Sequence, residues 1–350
     1  MANIIDERGD NVVFKDIVER TISCFTDDRV KIVGNCAFQN CGFLTSVDLP
    51  AATSIGSSAF AFCSSLTSVD LPAATSIGSS AFAFCSSLTS VSLPAATSIS
   101  DFAFYCCSSL TTVSLPAATT IGSSAFRSCS SLTSVSLPMA TTISDFAFYC
   151  CSSLASVSLP MATTIGNYAF ASCSSLTSIS LPAATKVYDR AFAGCSRLVT
   201  ANLPLVTSLG SNVFASCYFL TTVSLPAVSS IGSNTFEKCS RLTTVNLPLA
   251  TTISSCAFSN CYSLATVRLS AVKKIGMSAF INCSSLSQLY VLASSVCTLE
   301  AIAFTNTPIT KSSYLGYYGS IYVPSSLVTA YKTANYWSEY SSKIVAYTGD

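Results

Sequence analysis

The feature that most constrains this chain is a phase. Phenylalanine returns every 22 residues, at Phe38, Phe60, Phe82, Phe104, Phe126, Phe148, Phe170, Phe192, Phe214, Phe236, Phe258 and Phe280, and Phe304 follows after 24. The neighbouring columns hold the same register, as in Leu66-Thr-Ser-Val-Asp-Leu-Pro72 and Leu132-Thr-Ser-Val-Ser-Leu-Pro138. One short unit cannot bury its apolar side alone, so a phase kept over a dozen copies requires like units stacked on one another.

Each unit reads physically. In Leu88-Thr-Ser-Val-Ser-Leu-Pro94, Val91 and Leu93 alternate with Ser90 and Ser92, the period of a strand with one buried face. Pro94 has no amide to donate and closes the strand. A turn follows, and the next column (Ile55, Ile77, Ile99, Ile121) points inward. Glycine often comes after it, at Gly34, Gly56, Gly78, Gly122, Gly166, Gly210, Gly232 and Gly276, which suggests a positive φ. The column after that holds helix-capping types, among them Asn35, Ser57, Asp101, Asp145 and Asp189. They predict a one- to two-turn helix or 3-10 segment over Ala-Phe-x-x-Cys, with Ala, Phe and Cys facing the core.

The unit Leu-x-x-Val-x-Leu-Pro-x-x-x-x-Ile-Gly-x-x-Ala-Phe-x-x-Cys-x-x resembles the BspA-like class of leucine-rich repeat over about residues 36–304. The fold expected is therefore an α/β repeat solenoid of leucine-rich-repeat type, mostly β and irregular. A parallel β-sheet lies on one face and short helical or 3-10 turns on the other. Residues 1–33 form an N-terminal cap that includes an amphipathic helix over Phe14–Ile22. Residues 34–304 form about twelve repeats, and residues 305–350 a strand-helix-strand cap. In that last segment Ser325 or Ser326 caps a helix through about Tyr340. The segment carries eight of the fifteen tyrosines and the one tryptophan, Trp337. Those rings serve either as a sugar-stacking platform or as a cover docked on the final rung.

Composition narrows function. Only 9% of residues are charged, against roughly 25% in an ordinary soluble domain. Residues 32–185 hold five charges, Asp48, Asp70, Asp101, Arg127 and Asp145, so hydroxyls keep that stretch soluble. A net charge of +1 gives no electrostatic case for nucleic acid or an anionic membrane, and no run of 18 apolar residues suggests membrane insertion. Histidine is absent, which excludes Ser-His-Asp and Cys-His catalysis and His-containing zinc sites. No enzyme activity, catalytic residue, cofactor or metal site is expected. The first residues show no basic stretch followed by an apolar one, so a secretory leader is not expected in this sequence.

Twelve of the eighteen cysteines share one column, three residues after the Phe, and read as a buried thiol ladder. Cys106 and Cys150 sit one position outward, where oxidation is conceivable. The exposed strand columns are Ser and Thr, with a further Thr row from Thr53 to Thr251. Variation enters late, at Lys186, Arg190 and Arg197 and then at Arg268, Lys273, Lys274 and Tyr290. The second cluster is the candidate binding site, because Arg268 and Tyr290 share an exposed strand column.

The resemblance implies a non-enzymatic structural or adhesive surface protein, extracellular or part of a phage virion or host-attachment apparatus. Its partners would be a protein or glycan on a cell surface, or neighbouring subunits of an assembly. Two readings stay beside it: a recognition module that binds protein or glycan on the concave sheet, and an ice-binding lattice built on the Thr rows.

Overall fold

The structure is a computed structural model that describes residues 22–310 and 318–349, with the backbone of Ile4–Ile5 and Asn11–Val12. The expected helix over Phe14–Ile22 lies, apart from Ile22, outside the described residues. The chain divides into two compact units, Met1–Leu176 and Thr177–Asp350. Each is a parallel-strand solenoid with few helical residues.

In the first unit, seven strands form one sheet: Cys24–Thr26, Ser46–Asp48, Ser68–Asp70, Ser90–Ser92, Thr112–Ser114, Ser134–Ser136 and Ser156–Ser158. Partners are parallel and 22 residues apart, as Val47 with Val69 and Val69 with Val91. The middle residue faces the core and its neighbours face out, the alternation that period-2 patterning demands. Two-residue strands, from Ile32–Val33 through Thr164–Ile165, form a second ladder with Val33 and then the isoleucines from Ile55 to Ile165 inward. At its start, Ile4–Ile5 pairs antiparallel with Ile32–Val33. Parallel pairing thus already takes in Cys24–Thr26, within the stretch that the sequence reading assigned to a cap.

The strip expected to be a short helical turn is a chain of tight turns, and its amides are shared in two directions. Ala59, Ala61 and Cys63 donate to carbonyls three residues back, at 3.3, 3.1 and 3.2 Å. The alternate amides of Ser58, Phe60 and Phe62 donate to the next rung, to Ser79, Ala81 and Ala83, at 2.8, 2.7 and 2.8 Å. A helix would use every amide internally and leave the rungs unlinked there. The alternation needs two left-handed residues in the strip, such as Ser58 (φ 54°) and Phe62 (φ 63°). Each costs about 1–2 kcal/mol for a non-glycine residue, and the ladders on either side hold it in place.

The glycine column has a different cause from the one expected. Among described glycines only Gly194 and Gly349 have positive φ. A Cβ on Gly122 would lie 2.6 Å from the Ser100 carbonyl carbon and 2.7 Å from Asp101 Oδ1. The carboxylate is there because Asp101 Oδ1 accepts from the Ser123 amide of the next rung, at 2.7 Å. Asn35 with Ser57 (2.8 Å), Asp145 with Asn167 (2.7 Å) and Asp189 with Ser211 (2.8 Å) repeat the bond. The capping residue types therefore cap the following rung, and the glycine between them leaves room for the side chain to cross.

The core is columnar. Phe38 to Phe170 are fully buried and stack with centroids 4.8–5.3 Å apart. Behind them the column thiols from Cys63 to Cys173 donate to the carbonyl of a Phe in the previous rung, as Cys85 Sγ to Phe60 O at 3.1 Å and Cys129 Sγ to Phe104 O at 3.1 Å. A small apolar side chain with one weak donor suits that site, whereas alanine would leave a gap and a carbonyl with one bond fewer. Burial pushes the Cys63 thiol up to about 12 and Cys85 well above its usual range.

The second unit repeats this plan from Ser178–Ser180, with Phe192 to Phe304 stacked at 5.1–5.7 Å. Its last sheet runs Thr244–Leu247, Thr266–Leu269, Gln288–Val291, Ser320–Pro324 and Ile344–Tyr347, all parallel. The expected single helix after Pro324 is broken. A 3-10 turn (Ser325–Leu327) leads into a six-residue helix (Val328–Thr333), which stops before left-handed Tyr336 (φ 59°). A second 3-10 segment then covers Trp337–Lys343. Neither Ser325 nor Ser326 caps, since Pro324 occupies the N-cap position. The break turns Trp337 inward: it is fully buried, 6.1 Å from Phe304 between centroids, and its Nε1 donates to Cys297 O at 2.8 Å. Trp337 and Tyr340 thus dock on Phe304 with Tyr331 packed edge-on against Trp337, and Trp337 offers no face to a sugar.

Candidate functional site

The sequence-based candidates are only partly brought together. Arg268 and Tyr290 are register partners on adjacent strands. The guanidinium lies 4.3 Å from the Tyr290 centroid, and its Nη2 donates to Tyr347 Oη at 3.2 Å. Tyr290 is only 9% exposed and stacks on Tyr322 at 4.6 Å. Tyr290 is therefore not the open contact residue its column suggested, because the strands after residue 318 cover it. Lys273 and Lys274 belong to the other ladder, in which Lys274–Ile275 is a strand. Lys274 Nζ pairs with Glu300 Oε1 at 2.6 Å. That contact, with the Met277 amide on Oε2, holds the Glu300 carboxyl below its usual range.

The Thr rows are tied to backbone. Thr75 Oγ1 donates to Thr53 O (3.2 Å), Thr119 to Thr97 O (3.1 Å) and Thr163 to Thr141 O (3.2 Å). These hydroxyls satisfy carbonyls of the preceding rung. Cys106 and Cys150 are half-buried thiols, and the column thiols of both units are buried.

The largest departure from monotony lies elsewhere, on the turn strip of the first unit. Two copies of Asp-Phe-Ala-Phe-Tyr-Cys-Cys, at 101–107 and 145–151, bracket Arg127. Left-handed φ at Phe62, Phe84, Phe102, Phe146 and Tyr168 swings those rings outward. Phe62, Phe84 and Phe102 are 46%, 39% and 40% exposed, whereas the stacked column from Phe38 to Phe170 is fully buried. Phe62 stacks on Phe84 at 4.7 Å, and Tyr105 meets both Phe84 (5.1 Å) and Phe102 (5.9 Å) edge-on. Phe146 stacks on Tyr168 at 4.8 Å and meets Tyr149 edge-on at 5.7 Å.

Between the two groups the Arg127 guanidinium sits 5.0 Å from the Tyr149 centroid, 5.6 Å from Phe146 and 5.8 Å from Tyr105. Its Nε is buried without a hydrogen-bond partner among the described residues. The Cys106 thiol, hydrogen-bonded to Tyr105, raises that phenol, and Cys150 does the same to Tyr149. The outward thiols are legible in the sequence, and the grouping of the rings is not. A helical turn would have spread these side chains around its circumference, whereas the turn chain collects them on one strip. The signal available was the duplicated aromatic heptapeptide on either side of the one cation.

The repeat geometry defines a leucine-rich-repeat solenoid. A profile described as "BspA type Leucine rich repeat region (6 copies)" matches residues 11–117, 97–221 and 207–322. The chain belongs to the BspA-type leucine-rich repeat family. Among solved structures it is similar to a leucine-rich repeat protein from Bacteroides ovatus, with 26% identity and a TM-score of 0.77 over 99% of this chain and 91% of that one. A leucine rich cell surface protein from Faecalibacterium prausnitzii matches at 26% identity and a TM-score of 0.46, over 79% of this chain and 88% of that one. No curated protein matches the sequence. Family and fold point to a non-enzymatic protein-binding or surface repeat protein.

Proposed function

We propose that this protein is a non-enzymatic binding solenoid of a surface-acting, adhesive kind, and that it engages a protein partner through the turn strip of its first unit. The observation that carries this reading is the aromatic strip that includes Arg127, half-buried at Tyr105, Phe146 and Tyr149 beside the guanidinium and exposed at Phe62, Phe84 and Phe102. Aromatic residues and arginine are the types enriched where protein interfaces concentrate their binding energy. Contiguous exposed apolar surface of this kind is uncommon on a chain with no partner. The Ser- and Thr-rich remainder would then act as the frame that holds the strip away from other apolar surface. A role at a cell surface or on a virion is consistent with these ion-poor, hydroxyl-rich faces.

The test is to pan the intact chain against a random peptide library displayed on phage. Recovered clones should lose binding to a Phe84→Ser/Tyr105→Ser/Phe146→Ser variant that melts at the parent temperature. Clones indifferent to that variant, or no clones at all, would refute the assignment.

A second reading concerns Lys274. A polar hollow of about 220 Å³ is lined by Ser233, Thr252, Ser254, Ser255, Lys274, Gly276 and Glu300. It suits a small hydroxylated ligand, and Lys274→Ala should abolish such binding in a calorimetric titration with simple sugars. Arg268 and Tyr290 would then support the neighbouring rungs without touching the ligand.

A further inference from the structure

We infer that the strip around Arg127 receives a carboxylate: its partner presents one Asp or Glu side chain flanked by apolar residues. This rests on the reading of the strip as a protein-binding surface and adds the chemistry of what binds.

Arg127 is the one cation between residues 32 and 185, where the other charges are Asp48, Asp70, Asp101 and Asp145. Asp101 and Asp145 each use Oδ1 on a backbone amide of the following rung, at 2.7 Å in both cases. No ion pair to Arg127 forms among the described residues. Its neighbours are rings, which attract a cation over their faces but cannot accept in-plane N–H donors along the guanidinium edge. A carboxylate matches the guanidinium fork with two parallel hydrogen bonds. The exposed rings of Phe62, Phe84 and Phe102 sit in the surrounding strip, where apolar partner groups would cover them and exclude water. An Arg–carboxylate contact is strengthened by that exclusion.

The same features disfavour the other occupants. A second copy docked about a two-fold axis through this strip would bring Arg127 against Arg127, and the acids nearest in the strip, Asp101 and Asp145, already hold the Ser123 and Asn167 amides. An anionic membrane would meet four carboxylates and one guanidinium along residues 32–185. A sugar needs open ring faces, and the stacking of Phe62 on Phe84 and of Phe146 on Tyr168 covers one face of each ring.

The experiment uses the intact chain and the peptides recovered from the displayed library. Peptides that depend on the strip should carry Asp or Glu beside apolar residues, and Arg127→Gln should weaken them about tenfold or more. Arg127→Lys should restore only part of that loss, because a lysine offers a point charge without the fork. Neutralising the peptide acid should abolish the difference between parent and Arg127→Gln.

Strip-dependent peptides that lack an acid, or that bind Arg127→Gln as well as the parent, overturn this inference and leave the protein-binding reading standing. Peptides that ignore the triple ring variant overturn both. Concentration-dependent dimerisation in sedimentation, lost in the ring variant, would assign the strip to a second copy. Binding to phosphatidylserine vesicles or to uronic acid oligosaccharides through the strip would overturn the choice of a protein. Melting curves of each variant separate a lost contact from a lost fold.

Discussion

Gly122→Ala should destabilise the first unit by about 1–3 kcal/mol, the range for forcing extra volume into close packing. The added Cβ would lie 2.6 Å from the Ser100 carbonyl carbon and 2.7 Å from both Asp101 N and Asp101 Oδ1. Two of these three atoms are backbone and cannot swing aside. The third is the carboxylate oxygen that bonds Ser123 N at 2.7 Å. Asp101→Ala removes that bond, at a cost of about 1 kcal/mol, and with it one of the three clashes.

The double variant should therefore be less destabilised than the sum of the singles by about 0.5–1 kcal/mol, yet keep most of the glycine's effect. Guanidinium denaturation under reducing conditions gives the midpoints, and amide exchange at Ser123 reports the bridged rung directly. A stack of repeats can unfold in parts, so the comparison holds only where the m-value is unchanged. Glycine-to-alanine changes at unstrained sites stabilise by about 0.4–1 kcal/mol through the unfolded state. A Gly122→Ala variant at or above parent stability, or strict additivity with Asp101→Ala, would refute the close-approach account.

Three other outcomes follow from the same geometry. Burial raises the Cys63 thiol to about 12, against an unfolded value of about 8.5, so the unfolded chain loses its proton first as pH rises. That thiol's contribution is intact below about pH 8.5 and falls by about 1.4 kcal/mol per pH unit between there and pH 12; a denaturation midpoint flat from pH 8 to 10 would contradict it. Trp337→Phe leaves Cys297 O without its 2.8 Å donor and should cost about 1–3 kcal/mol in second-unit stability, read by near-ultraviolet circular dichroism. Arg268→Ala removes the contact over Tyr290 and the bond to Tyr347. It should lower stability by about 1–2 kcal/mol on melting; an unchanged melting temperature would show that its ring contacts hold nothing together.

Much of the fold was legible because a strand's side chains alternate. Val91 and Leu93 had to face one way and Ser90 and Ser92 the other, and a 22-residue phase brings like columns together whatever the turns do. The Phe spine and the buried thiols followed from the same phase. Less of the site was legible. Arg268 and Tyr290 were rightly placed as register partners, but whether a strand covers them depends on Ser320–Pro324 and Ile344–Tyr347, which lie outside the repeat pattern. A helix over Ala-Phe-x-x-Cys would spread Phe84, Tyr105 and Phe146 around its circumference, whereas the left-handed turns place them on one strip.

The sequence by itself determined the phase, the buried columns and the exclusion of histidine chemistry, because these depend only on residue identity and spacing. Tertiary structure decided how adjacent rungs share their backbone groups. Half of the turn amides go to the next rung, so the chain takes left-handed corners there, Asp101 reaches across Gly122, and the rings around Arg127 face outward together. None of this is encoded within one repeat, since the partner of each amide lies 21 or 22 residues away in a neighbouring copy.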